Sequence, residues 1–372
     1  MKSALALITL LHLMTLTCNI AAAEPTKLQK ISTVIEDVYQ DLDSNIGPGC
    51  AVGFAQNGQL IYERQFGMAN LEHNITINAD TVFRTGSTSK QFVAASLALL
   101  SLQGKLDLDA DIHTVLPDLP DYGTVVTIRQ MINHSSGIPD VYSIMSAVYG
   151  DEDGNFYPSE KTLEYLYRMD QLDFQPGTQY AYSNSAYLLL AQAVEAVSGQ
   201  TLRDFAKENI FQPLGMHNTH FHDDHRELIV NRADGYSHID GHWQKHNTNF
   251  EMVGDGGMFS TVKDVVTWYH NFHANRLPGG DALMALLTTP ATYSEVPAKY
   301  RDWPIDYAFG NMHLKFGSLS LFGHSGGFVG FVSAPYRIQE TNEIMVSLCN
   351  YRFKGNVNRV FDSIQRIYGD GK

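Results

Sequence analysis

Apolar residues recur along this chain at two periods, and the period changes mark its elements. Leu28, Ile31, Ile35, Val38 and Leu42 fall at helical spacing and predict an opening amphipathic helix. The runs 50–56 and 59–65 then flank Asn57-Gly58, the dipeptide that favours a two-residue hairpin turn. Residues 92–102 are almost entirely apolar and Gly104 closes them, which predicts a helix buried on nearly every face, with Ser87 in its first turn. Shorter helices are expected over 126–133 and 163–169 and a longer one over 184–198, with Pro139, Pro158 and Pro176 punctuating the connections. Past Asp234 a hairpin around Asp240-Gly241 (236–244) and a helix at 261–273 follow. Glycine-bounded apolar runs at 307–314, 318–322, 328–335 and 344–350 read as strands, and 357–368 as a closing helix.

Strands at both ends with helices between them predict an α+β fold. One antiparallel sheet is built from both termini and flanked by helices, and a mostly helical insert sits between its halves. Residues 24–372 form one domain on this reading, with the sheet part at about 24–80 and 256–372 and the helical part at about 81–255. A cleft between the two parts is the expected site.

Residues 1–23 carry the marks of a secretion signal: Lys2, an uncharged apolar stretch over 4–16, and Ala21-Ala22-Ala23 before Glu24. The expectation is a periplasmic or secreted protein cut after Ala23, with no integral membrane segment left, since the apolar stretch is too short to span a bilayer. Loss of Lys2 moves the formal charge from −14 to −15. Such acidity argues against nucleic acid and anionic membrane surfaces as partners. Cys50 and Cys349 remain, which is no disulfide framework; a single bridge between them is left open.

The candidate chemistry begins at Ser87-Thr88-Ser89-Lys90. Residues three apart share a helix face, so the Lys90 amine can stand beside the Ser87 hydroxyl and take its proton once burial disfavours the ammonium. Tyr182-Ser183-Asn184 places a phenol and an amide on one side of an extended turn. Tyr182 as phenolate is a second acid/base, and Asn184 orients substrate or Lys90. Gly323-His324-Ser325-Gly326-Gly327 opens a strand whose glycines admit close approach. His324 offers a polar side chain there, and the Gly327 N–H faces the Ser87 N–H as a second oxyanion donor.

These three motifs, in this order and at these wide spacings, resemble the serine β-lactamase and penicillin-binding superfamily. The Y-x-N makes the chain similar to class C β-lactamases, DD-carboxypeptidases, D-aminopeptidases and related esterases. Further landmarks are residues 106–116, 131–139, 213–216 and 256–261, so the likeness covers about 30–370. It implies a β-lactamase-like fold and an acyl-enzyme on Ser87, with Lys90 and Tyr182 as its acid/base partners. Asn184, His324, Ser325 and Gly326 would line the substrate, and the backbone of Ser87 and Gly327 would form the oxyanion hole. No cofactor or metal is implied. The partner is a small-molecule or peptide substrate: a peptidoglycan-like peptide, a β-lactam or an ester. The β-lactamases most like this chain carry lysine where His324 stands, and imidazole, with its pKa near 6.5, is the weaker cation for a substrate carboxylate. That favours D-amino-acid-containing peptides or small esters as substrates, with a true β-lactamase or a non-catalytic penicillin- or muropeptide-binding receptor as alternatives.

Two other patterns carry less. Residues 323–327 match the G-x-S-x-G elbow of α/β-hydrolases, but no histidine follows Ser325 as that fold requires. His217, His220, His222 and His225, with Asp223 and Asp224, offer metal-ligand types without the spacing of an open metal site.

Overall fold

The computed structural model describes residues 25–150, 157–295, 306–353 and 355–369, so the expected signal lies outside the described residues. The first helix, Lys27–Tyr39, starts at a capping box: Gln29 N–H donates to the Thr26 hydroxyl (3.2 Å) and Thr26 N–H to the Gln29 side chain (2.8 Å). Asn57 and Gly58 both take positive φ (51° and 78°), as the hairpin between Cys50–Gln56 and Gln59–Phe66 demands.

That hairpin joins the C-terminal strands in one sheet, ordered Asp306–Ala308, Asn311–Phe316, Leu319–Gly323, Phe331–Ile338, Glu343–Cys349, Cys50–Gln56, Gln59–Phe66. Gly326–Phe328 adds to Phe331–Ile338, and every pairing is antiparallel. Both termini therefore build the sheet, as the hydrophobic pattern predicts. Cys50 sits opposite Cys349 and the two sulfurs are joined.

Side-chain alternation gives the sheet two buried faces. Along Glu343–Cys349, Ile344, Val346 and Leu348 enter the larger core, while Met345 and Cys349 face the terminal helices. There Ile31 and Ile35 meet Val360 and Ile364 of the closing helix Asn356–Tyr368. Each such fully buried aliphatic side chain contributes about 1.5–3 kcal/mol. Buried Glu343 ties the two helices together, taking Lys27 in an ion pair at 2.5 Å and a hydrogen bond from the Tyr368 hydroxyl.

The other face carries the helical part. In Lys90–Leu102 every residue from Lys90 to Leu100 is buried. Phe92 packs on Trp268 (ring centroids 4.5 Å) and Phe211 (5.2 Å). Gln91 fixes the neighbouring helix Val262–Ala274 by accepting from Trp268 Nε1 (2.7 Å) and donating to the Tyr269 hydroxyl (2.9 Å). The helix expected over 163–169 begins earlier, as Ser159–Leu166, with Pro158 at its N-cap position and the Pro158 carbonyl accepting from Thr162 N–H at 2.9 Å. Among the described residues, helices without a counterpart in the hydrophobic pattern include Val141–Tyr149, capped by Asp140, Leu202–Ala206, capped by Thr201, and Gly280–Thr288. Among the described residues no helix is long and apolar enough to cross a membrane.

Candidate active site

Ser87 is the one residue between Thr81 and Leu100 that is not buried. It lies in a 3₁₀ turn, Gly86–Ser89, and the α-helix starts only at Lys90. The tighter turn suits the pair, because three residues per turn bring i and i+3 into line. Hydroxyls lock the turn to its surroundings. Thr88 Oγ1 donates to the His324 carbonyl (2.9 Å), Ser333 Oγ to the Thr85 carbonyl (2.6 Å), and Ser89 Oγ to the Gly86 carbonyl (2.7 Å).

Lys90 is fully buried and its Nζ has three neighbours: Asp255 carbonyl at 2.6 Å, Asn184 Oδ1 at 2.9 Å and Ser87 Oγ at 3.3 Å. The Asn184 orientation is set from behind, since its Nδ2 donates to Asp140 Oδ2 (2.8 Å) and a carboxylate only accepts. Two of the three neighbours are thus pure acceptors. A neutral amine donates its two hydrogens to them, which aims its lone pair at Ser87. Burial brings the Lys90 ammonium down to about 8, with Asp255 and Asp140 opposing, so the neutral form is accessible near neutrality.

Tyr182 is half-buried beside the pair, with its hydroxyl hydrogen-bonded to Ser87 and its ring face 4.8 Å from Lys90 Nζ. Burial holds its pKa well above the ordinary tyrosine value. It is a neutral phenol, not the phenolate expected from the motif. Behind it His134 packs ring on ring (4.2 Å) and is wholly buried. His134 Nδ1 accepts from Ser183 N–H (3.1 Å), which leaves Nε2 to carry the proton toward the Tyr307 hydroxyl (3.0 Å).

The strand Gly326–Phe328 lies hard against the serine turn. A methyl on Gly86, which has φ of 53°, would stand 2.7 Å from the Gly327 nitrogen. One on Gly326 would stand 2.0 Å from the Thr85 carbonyl oxygen and 2.7 Å from the Ser87 nitrogen. Only glycine permits this approach. His324 stands behind the strand: it is 3 % exposed, its Nδ1 faces the Ser325 carbonyl at 2.6 Å, and burial takes its pKa to about 4. Ser325 is half-buried and Gly326 buried.

The cleft above these groups encloses about 670 Å³. Ser87, Tyr182, Asn184 and Gly327 line it; so do Arg84, Asp140, Tyr142 and Asp255, which no motif picks out. Asp140 caps Val141–Tyr149 through Oδ1 and gives Oδ2 to both the backbone (3.0 Å) and side-chain nitrogens of Asn184. Pro139-Asp140 ahead of an apolar run marks a helix start, but nothing local marks Asp140 as a neighbour of Asn184.

Residues 36–365 match the family model described as Beta-lactamase. The chain belongs to the Beta-lactamase family. A D-aminopeptidase of Cereibacter sphaeroides is 27% identical over 307 residues, covering 82% of this chain and 57% of that protein. Penicillin-binding protein 4* of Bacillus subtilis is 27% identical over 314 residues, covering 80% and 66%. The chain thus spans a little over half the length of the D-aminopeptidase it matches. The fold is shared with an octameric penicillin-binding protein homologue from Pyrococcus abyssi, at TM-score 0.80 and 24% identity over 93% of this chain and 78% of that one. The fold is β-lactamase-like, as the motif order implies.

Within this Beta-lactamase family member the histidine-rich stretch disperses. His220 stacks on Phe259 (13° between planes), and His222 is buried with neither ring nitrogen hydrogen-bonded. His225 Nδ1 lies 2.6 Å from Glu251. Asp224, His225 and Glu251 do bring ligand atoms within 4.8 Å of one another, but Asp224 is already paired to Arg226 at 2.8 Å.

Proposed function

We propose that the chain is a secreted serine hydrolase acting through an acyl-enzyme on Ser87, with D-amino-acid-containing peptides or small esters as substrates. The observation that carries this is the pair of pure acceptors, Asn184 Oδ1 and the Asp255 carbonyl, which direct the Lys90 lone pair to Ser87 Oγ. As Oγ attacks the substrate carbonyl carbon, its proton passes to Lys90. The oxyanion formed takes N–H groups from Ser87 and Gly327. Tyr182, a neutral phenol, protonates the leaving amine or alkoxide and is reprotonated from Lys90. Water then attacks the acyl carbonyl by the same route in reverse and frees Ser87.

The names of the D-aminopeptidase and penicillin-binding relatives support the substrate class. The Cys50–Cys349 bridge supports an oxidising compartment, in keeping with the signal pattern of residues 1–23. The test is intact mass after exposure to a penicillin and to a p-nitrophenyl ester, with Ser87→Ala as control. A Ser87-dependent adduct with either reagent, or Ser87-dependent ester turnover, is expected. Turnover that survives in Ser87→Ala overturns the reading.

A further inference from the structure

Resting on the hydrolase reading, we infer that Arg84 is the anion-recognising residue of the cleft and takes a carboxylate on the substrate. Arg84 is only 4 % exposed, yet it lines the cleft with Ser87. Among the described residues its guanidinium makes no ion pair and no hydrogen bond, and its buried Nε has no partner. Its neighbours are aromatic faces, Phe328 at 5.3 Å and Phe259 at 5.8 Å. A buried Nε–H without an acceptor is costly unless a ligand supplies one, and the guanidinium of a residue that lines the cleft is placed to take that ligand.

The acids of the cleft are committed elsewhere. Asp140 is spent on Asn184 and the cap of Val141–Tyr149. Asp255 Oδ2 accepts the Tyr142 hydroxyl at 2.9 Å, and its backbone carbonyl accepts from Lys90 at 2.6 Å. The uncommitted charge is positive. Arg352, exposed and unpaired among the described residues, lines the same cleft, as does His246, whose Nδ1 is buried without a partner. On a chain of formal charge −14, a cation-lined cleft favours an anionic ligand over the surface around it. His324, the residue in the motif position for this role, is neutral near pH 7 and absent from the lining. The fork geometry of Arg84 suits a carboxylate held by two parallel hydrogen bonds.

The experiment is calorimetric binding of N-acetyl-D-alanine and its carboxamide to the full chain carrying Ser87→Ala, so that no turnover intrudes. The carboxylate should bind about ten- to a hundred-fold tighter, an advantage that shrinks with added sodium chloride. Equal binding of the two overturns the assignment. Adding Arg84→Met should abolish the preference and Arg352→Met should leave most of it; a preference that survives Arg84→Met places recognition elsewhere. If Arg84→Met fails to fold, Arg84→Lys replaces it. Lysine keeps the charge but not the fork, so the preference should fall at least threefold, and an unchanged preference overturns the assignment. Ester hydrolysis by the parent chain, lost in Ser87→Ala, tests the hydrolase reading separately.

Discussion

Asp140 holds Asn184 at two points, the backbone nitrogen at 3.0 Å and the side-chain nitrogen at 2.8 Å, and so decides which atom of that amide faces Lys90. Asp140→Ala should release the amide to turn and leave the Lys90 lone pair unaimed. Expected is a fall in kcat on a neutral ester of about 10- to 100-fold, with about 1 kcal/mol of stability lost with the helix cap. Steady-state kinetics beside thermal unfolding separates the two effects; an unchanged kcat would show that the amide is held without Asp140.

The proton acceptor sets the pH profile. Burial holds Lys90 at about 8, below the ordinary lysine value, and on the proposed mechanism the neutral amine is the active form. For a neutral ester kcat/KM should therefore rise with pH, reach half its maximum near 8 and level off above. Burial pushes His134 and His324 down, so neither adds a step near neutrality. A profile flat from pH 6 to 9 would remove Lys90 from the role.

On the proposed mechanism Tyr182 enters as an acid. Tyr182→Phe keeps the ring against His134 and loses only the hydroxyl, so the fold should hold while kcat drops about 10²–10⁴-fold. Circular dichroism and turnover of one ester measure both; a drop under tenfold would leave the leaving-group proton to another donor.

The serine turn depends on a glycine across the cleft. Gly326→Ala drives a methyl to 2.0 Å from the Thr85 carbonyl oxygen and must part the strand from the turn. A displacement near 1 Å costs about 100-fold in rate. Penicillin or ester acylation of this variant, followed by mass, should slow accordingly, and acylation at the parent rate would mean that Gly327 supplies no oxyanion donor.

The four side chains that meet at Ser87 are readable in the sequence because each pair obeys a local spacing: three residues for Ser87 and Lys90, two for Tyr182 and Asn184. The strands at both termini are readable too, from apolar runs bounded by glycine. Asp140, Asp255 and Arg84 are not readable as site residues, since their roles arise from contacts across 44, 165 and more positions of chain. His324 shows the converse. Its motif position is local, but its burial is set by Tyr182 and Tyr307, which arrive from other elements. The helix Val141–Tyr149 is short, nine residues with Val141 and Met145 buried, so its periodic signal covers barely two turns.

The bridge between Cys50 and Cys349 closes a span of 299 residues. Loop-closure entropy alone gives a link over so long a span about 5–6 kcal/mol, above the about 2–4 kcal/mol typical of protein disulfides. Replacing both cysteines with alanine should lower the unfolding free energy by about 2–5 kcal/mol, and the urea midpoint with it, without changing kcat, as judged by urea unfolding and ester turnover; an unchanged midpoint would mean that the bridge adds nothing to stability.

The same pairing imposes an order on biosynthesis. The strand Cys50–Gln56 is made early, but its neighbour Glu343–Cys349 follows almost 300 residues later. At about 5–20 residues per second, the first hairpin waits on the order of 15–60 s with an open, apolar edge. The serine turn is likewise complete long before Gly327 exists. On the proposed mechanism, until the C-terminal strands arrive the nascent chain carries a nucleophile without its second oxyanion donor, and catalytic competence comes only once residue 327 is made.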